Sequence, residues 1–247
     1  MIVSHNEIFV TCQRVLESKG FSQGIWEDAA DSIAWLAQIG VPTMQPFCAS
    51  LGRLQPVNSG WQIGSDRPNR FEFNTNGGSC VQFGSLAADY ALSKALQHDY
   101  TIGTIDGTEQ GIWIGYLRTI AAQGIHTSVS WQSDVRWHQY RFAANEAYPD
   151  YVCEQVETQS DGNVYLSMSK RPLSLAWENG WTFSRDDPTP PVIVERVSSA
   201  EFAAKRQHHL YHGIEIDEAC WLRLKKEARG ILVEDSAESR SRGAGGA

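Results

Sequence analysis

Residues 85–131 read SLAADYALSKALQHDYTIGTIDGTEQGIWIGYLRTIAAQGIHTSVSW. The rhythm is helix, strand, helix, strand. Leu86, Tyr90 or Ala91, Lys94 and Ala95 recur at helical spacing, and Tyr100–Asp106 carries a strand pattern. Ile112, Tyr116, Ile120 and the pair Ala121–Ala122 mark a second helix stopped by Gly124, and His126 opens another strand. A strand that leaves a helix after a short turn commonly joins the sheet beside the earlier strand, as in a βαβ unit. The stretch therefore predicts a mixed α/β protein built on a central mixed sheet.

Toward the N-terminus, Ser4-His5-Asn6-Glu7 is a capping box: the serine hydroxyl takes an orphan amide and the glutamate returns a bond to the cap. Ile8, Cys12, Val15 and Leu16 follow at helical spacing, with Gly20 as the left-handed stop. Ser22 opens a second helix with a stripe of Ile25, Ala29, Ile33 and Leu36, closed by Gly40 and Pro42. Residues 41–70 read as irregular, with one short helix around Gln45–Leu54. Arg70–Asn74 reads as a strand, Asn74–Ser79 as a tight turn and Cys80–Phe83 as another strand.

Beyond Asp134 the period changes to two. Val152–Thr158 and Val164–Met168 alternate on either side of Ser160-Asp-Gly-Asn163, which predicts a hairpin. Asp186–Pro191 reads as a rigid linker into strand Val192–Val197. Ser198–Glu201 is a second capping box, opening a helix to about Tyr211, and a last helix spans Asp217–Ala228. The expected organisation is one compact domain over 1–234, with a β-hairpin-rich lobe at 134–195. A flexible Ser/Arg/Gly/Ala tail with little to bury follows at 235–247.

The 247 residues are 42% hydrophobic and 20% charged, as in an ordinary globular chain long enough to fill its own core. A net charge of −8 and a pI near 5.4 argue against a nucleic-acid groove or an anionic membrane surface, both of which need a basic face. Five cysteines with no CxxC pair predict reduced thiols, and no run approaches about 18 apolar residues. MIVSHNEIF lacks the basic flank of a secretion signal, so the expected location is cytoplasmic. Nine tryptophans call for core or interface burial. A homodimer is the expected assembly, with Trp113, Trp131 or Trp137 as candidate contacts.

Gly20, Ala29-Ala30, Leu36 and Gly40, together with the αβαβ piece, resemble the second type of malate/L-lactate dehydrogenases. That family includes sulfolactate and piperideine-carboxylate reductases and has a non-Rossmann scaffold. Glu238-Ser239-Arg240 and Arg242-Gly-Ala-Gly are similar to a smaller uncharacterised bacterial family (domain of unknown function 3726), a distant, shortened relative. The first resemblance implies a Ser-His-Gly tripeptide whose histidine exchanges the substrate's proton, and this chain has Thr43-Met44-Gln45 there. It implies an arginine where Cys48 stands, and a His-x-Gly motif where Glu109-Gln110-Gly111 stands. Methionine cannot exchange a proton, so the family's hydride-transfer mechanism is not expected here.

Two functions of different class follow. In one, the chain binds a small carboxylate metabolite or serves as an accessory protein, with Glu109, Gln110, Gly111, Arg240 and Arg242 at the site. In the other, it is an enzyme of altered chemistry that uses Glu109 as base. NAD(P) is then a possible cofactor, though no motif supports it. Glu109 and Gln110 sit between a strand and a helix, where α/β proteins place ligands, yet a residue there also serves to cap the helix. Arg240 and Arg242 have the fork that grips carboxylates, yet a Gly/Ser/Ala tail is commonly solvated. His208 and His212 share a helix face, but no carboxylate completes a HExxH set, and no metal is expected. Asn76-Gly77-Gly78 reads as a turn with no helix placed to make it a phosphate loop.

Overall fold

The computed structural model describes residues 1–57, 60–156, 162–171 and 192–231. The chain begins with strand β1 (Ile2–Val3) and helices α1 (His5–Ser18), α2 (Gln23–Gln38) and α3 (Met44–Ser50). Ser4 and Glu7 form the capping box, and Gly20 and Gly40 take left-handed backbone just past α1 and α2. Strands β2 (Gln62–Arg67) and β3 (Arg70–Asn74) lead into α4 (Cys80–His98), β4 (Tyr100–Asp106) and α5 (Trp113–Ala121). Strands β5 (His126–Ser133), β6 (Arg136–Phe142), β7 (Asp150–Gln155), β8 (Asn163–Ser169) and β9 (Val192–Val197) follow. Then come α6 (Ser199–His212), β10 (Ile214–Glu215) and α7 (Glu218–Ala228).

Among the described residues eight strands form one sheet in the order β2-β3-β4-β8-β5-β6-β7-β9, in which only β3–β4 pair in parallel. The crossover between them is α4, which packs on β4 and against α5. α2 lies across both α4 and α5, and α1 and α7 pack outside it. This enclosure explains why α2 is buried from Ala29 to Gln38 except at Asp31, more widely than its single apolar stripe predicts. Glycine permits the closest crossing. A Cβ at Gly115 of α5 would lie 2.8 Å from the Ser32 Cα of α2.

Several expectations need correction. Cys80–Phe83 is the first turn of α4 rather than a strand. Ser79 caps it, accepting from the Val81 amide at 3.0 Å, and Cys80, Phe83, Gly84, Ala87 and Ala91 continue a helical burial stripe too long to show in four residues. Residues 41–70 are less irregular than predicted, because β2 pairs with β3 in a bulged antiparallel ladder. The hairpin expected around Ser160–Asn163 does not form between its flanking strands. β7 pairs with β6 and β9, whereas β8 inserts between β4 and β5. The more apolar strand takes the centre: Val164, Leu166 and Met168 are buried there. β4 and β5 therefore run in the same direction but are not neighbours. The β-rich stretch 134–195 supplies strands to this one sheet.

Trp113 and Trp131 are buried within the chain, Trp131 stacking on Tyr140 at 5.7 Å, so neither offers a surface to a second subunit. Trp137 is half-buried against Tyr165. All five cysteines are free and buried. The Asp186–Pro191 linker and the tail from Asp235 lie outside the described residues. Among the described residues no helix is long and apolar enough to cross a membrane.

Candidate functional site

The parallel strands β3 and β4 end side by side, and their following loops meet. Ser79 and Thr108 form an isolated parallel bridge, and the Cys80 amide donates to the Thr108 carbonyl at 3.3 Å. The Thr75 amide donates to an Asp106 carboxylate oxygen. This carboxyl-end corner is where the topology of α/β sheets concentrates ligand sites. Glu109 occupies it with left-handed backbone (φ 56°, ψ 43°), a conformation that costs a non-glycine residue about 1 kcal/mol or more.

The Glu109 carboxylate does not cap the turn that follows it. It accepts hydrogen bonds from Ser79 Oγ at 2.6 Å and from Thr108 Oγ1, placing its charge beside the N-terminus of the preceding helix, α4. An anion there complements the helix dipole. Burial, helped by the Glu109 charge, pushes the neighbouring Cys80 thiol well above its usual range. Gln110 donates from Nε2 to the Gly162 carbonyl at 3.2 Å. A Cβ at Gly111 would stand 3.7 Å from Thr43 Cγ2, so the segments Thr43-Met44-Gln45 and Glu109-Gln110-Gly111 converge in space.

The convergence brings no proton-exchanging pair with it. Met44 and Cys48 are buried. Cys48 Sγ contacts the Cys220 carbonyl at 3.6 Å, and Cys220 Sγ donates to the Met44 carbonyl at 3.5 Å, tying α3 to α7. Burial first, then the neighbouring Cys48 thiol, pushes Cys220 up to about 12. Arg240 and Arg242 lie outside the described residues. His208 and His212 come within 4.5 Å, ring to ring, on α6, and no group of three or more metal-binding side chains occurs among the described residues.

Ser79 is a site residue absent from the sequence expectations; its signal, a serine directly before a helix, is masked because the apolar helical spacing is plain only from Ser85 onward. Asn76-Gly77-Gly78 likewise precedes a long helix, contrary to expectation. Most amide donors at the start of that helix are nonetheless taken. The amides of Gly78, Cys80, Val81 and Gln82 already donate within the protein, and Glu109 supplies the anion.

The model of a family described as a protein of unknown function (DUF3726) matches residues 3–63. No curated protein matches by sequence. Among solved structures, malate dehydrogenase from Entamoeba histolytica superposes with a TM-score of 0.65 at 11% identity, covering 92% of this chain and 97% of that one. Malate dehydrogenase from Pyrococcus horikoshii gives 0.65 at 12% identity, covering 95% and 96%. Sulfolactate dehydrogenase from Methanocaldococcus jannaschii gives 0.63 at 10% identity, covering 93% and 97%. Such a fold raises the question of a nicotinamide nucleotide. At the β3–α4 corner the residues do not fit its pyrophosphate, because a carboxylate and spent amides stand where phosphate oxygens would need donors. At these identities the likeness establishes the scaffold alone: a mixed α/β, malate/sulfolactate-dehydrogenase-like fold.

Proposed function

We propose that this chain is a small-carboxylate-binding or accessory protein on a dehydrogenase-like scaffold that has lost hydride-transfer chemistry. One observation carries the reading. Glu109, at the position of the second histidine motif, has its carboxylate held by two hydroxyls at a helix N-terminus, a structural role. Met44, at the position of the first, offers a thioether that exchanges no proton. The corner of Glu109, Gln110 and Gly111 would receive the ligand, with Arg240 and Arg242 supplying the guanidiniums for its carboxylate. The dehydrogenase names of the structural neighbours support a small acid as the class of ligand. A homodimer is part of this proposal, and light scattering of the purified chain checks it.

The second reading, an enzyme with Glu109 as base, has one observation in its favour: the strained left-handed backbone at that residue. Thermal shift with NADH, NADPH and a panel of hydroxy, oxo and amino acids separates the two, since a ligand of the folded state raises the melting temperature. The binding reading expects a shift with an acid and none with either nucleotide. A nucleotide shift would favour the enzyme. Truncation after Asp235 tests the tail, and unchanged acid affinity would remove Arg240 and Arg242 from the site.

A further inference from the structure

The corner lies at the N-terminal end of α5. Toward the C-terminal end of the same helix, a cleft of about 750 Å³ opens between the start of α1, the second half of α2, Arg118 of α5 and the last turns of α6. Its volume is that of an ordinary small-molecule site. Arg118 lies 4.8 Å from the Trp35 ring centroid, and its guanidinium is ion-paired with Asp31. Arg206 is placed differently. It donates from Nε to Gln38 Oε1 at 3.1 Å and from Nη1 to the Tyr148 hydroxyl at 3.3 Å, both neutral acceptors. No carboxylate lies within ion-pair distance of it among the described residues.

A guanidinium carries five N–H donors in a rigid fork, so two neutral hydrogen bonds orient Arg206 without neutralising it or exhausting its donors. Glu7 also lines the cleft, but its carboxylate is engaged by the Ser4 amide and hydroxyl in the α1 capping box. His5 feels both guanidiniums. Burial chiefly, then Arg118 and Arg206, lower its proton affinity, while Asp31 opposes them. A smaller cavity of about 370 Å³ adjoins, sharing Trp35, Arg118 and Arg206 with the first. Apolar surface is present as well: Ile2 and Leu210 line the cleft and are 69% and 52% exposed.

We infer that this cleft binds an organic carboxylate with an apolar body, the carboxylate on Arg206 and the body along Ile2 and Leu210. The pairing matches an oriented, unneutralised guanidinium to the planar anion it recognises best, and gives the exposed apolar side chains something to bury against. The site shares no residue with the Glu109 corner or the tail and does not depend on either.

Isothermal titration with 4-phenylbutyrate, and with its neutral amide 4-phenylbutanamide, tests the inference. The wild-type chain should bind the acid saturably and the amide at least about tenfold more weakly, because a charge-assisted bond is lost. Arg206→Gln should weaken the acid by about tenfold and leave the amide unchanged. Should Arg206→Gln fail to fold, the exposed Leu210→Glu should weaken the acid similarly, since it sets a carboxylate and removes apolar surface where the ligand lies. The chain truncated after Asp235 should bind as the full chain does. The inference is overturned by absence of saturable acid binding, by equal binding of acid and amide, or by folded Arg206→Gln or Leu210→Glu variants that bind the acid normally. Binding lost on truncation but kept in Arg206→Gln would assign the anion to the tail instead.

Discussion

The two ends of α5 handle charge in opposite ways. At the N-terminal end, Glu109 brings a carboxylate to the start of α4 and meets two hydroxyls, while the surrounding amides donate to carbonyls and to Ser79. The corner has filled its own anion site. Toward the C-terminal end, Arg118 is matched by Asp31, whereas Arg206 is oriented by Gln38 and Tyr148 and keeps its charge. The difference shows that topology marks a position and donors decide the binding: a carboxylate at the corner needs partners from elsewhere, as proposed for Arg240 and Arg242. The carboxyl edge of the β3–β4 pair is the expected ligand position, yet a ligand gains free energy only from donors that the fold has not already used.

The largest test attacks the helix that joins the two regions. Gly115→Ala should destabilise the chain toward the upper end of about 1–3 kcal/mol in urea denaturation, since its Cβ would collide with the α2 backbone. A neutral result would mean that α5 is not held against α2 as described. Ser79→Ala should cost about 1–2 kcal/mol, because it removes the α4 cap and one partner of Glu109 together. Ser22→Ala, at an α2 cap that makes no side-chain bond, should stay within a few tenths of a kcal/mol. Equal costs at the two serines would deny the corner its structural role.

Acid reads His5 and Glu7 at the cleft together with His126, His138 and Glu201 elsewhere in the fold. Burial lowers the proton affinity of His5, His126 and His138 in the folded chain, so the unfolded chain binds protons first as pH falls through the ordinary histidine value of 6.5. Stability contributed by these neutral rings is present above that value and declines below it. Hydrogen bonds from Ser4 and Ser198 hold Glu7 and Glu201 below the usual carboxylate range. Their contribution is present above about 4.5 and is lost as pH falls further. Melting temperature against pH should fall in both windows. Arg206→Gln should raise the His5 titration midpoint followed by NMR, and an unmoved midpoint would place the guanidinium away from His5. The smallest effect concerns the thiols. All five are buried, and burial pushes Cys12 and Cys80 up, so a disulfide reagent should label them only as fast as the chain unfolds. Rapid labelling in buffer would contradict the packing of α3, α4 and α7.

Local signals were legible in the sequence. Both capping boxes form, each with its glutamate accepting from the cap amide, because two residues three positions apart decide them. Helices α1, α2, α6 and α7 and strands β3, β4 and β9 stand near their predicted bounds for the same reason. Pairing was not legible. Nothing in Val152–Met168 says that β8 will leave β7 and insert between β4 and β5, since that choice depends on burial across the whole sheet. At the site, the methionine at position 44 and the glutamate at position 109 could be read directly. That Glu109 reaches back to Ser79, thirty residues earlier, could not. Arg206 gave no signal, because its neutral partners Gln38 and Tyr148 are 168 and 58 residues away.

The dehydrogenase-like frame is proposed to persist here without hydride transfer. The most direct measurement is nicotinamide turnover by the purified full chain, with NADH and NADPH in turn, against a panel of 2-oxo acids that includes oxaloacetate and pyruvate. No consumption of either nucleotide above the protein-free control is expected. Sustained turnover that disappears in Glu109→Gln would contradict the proposal and make Glu109 the base.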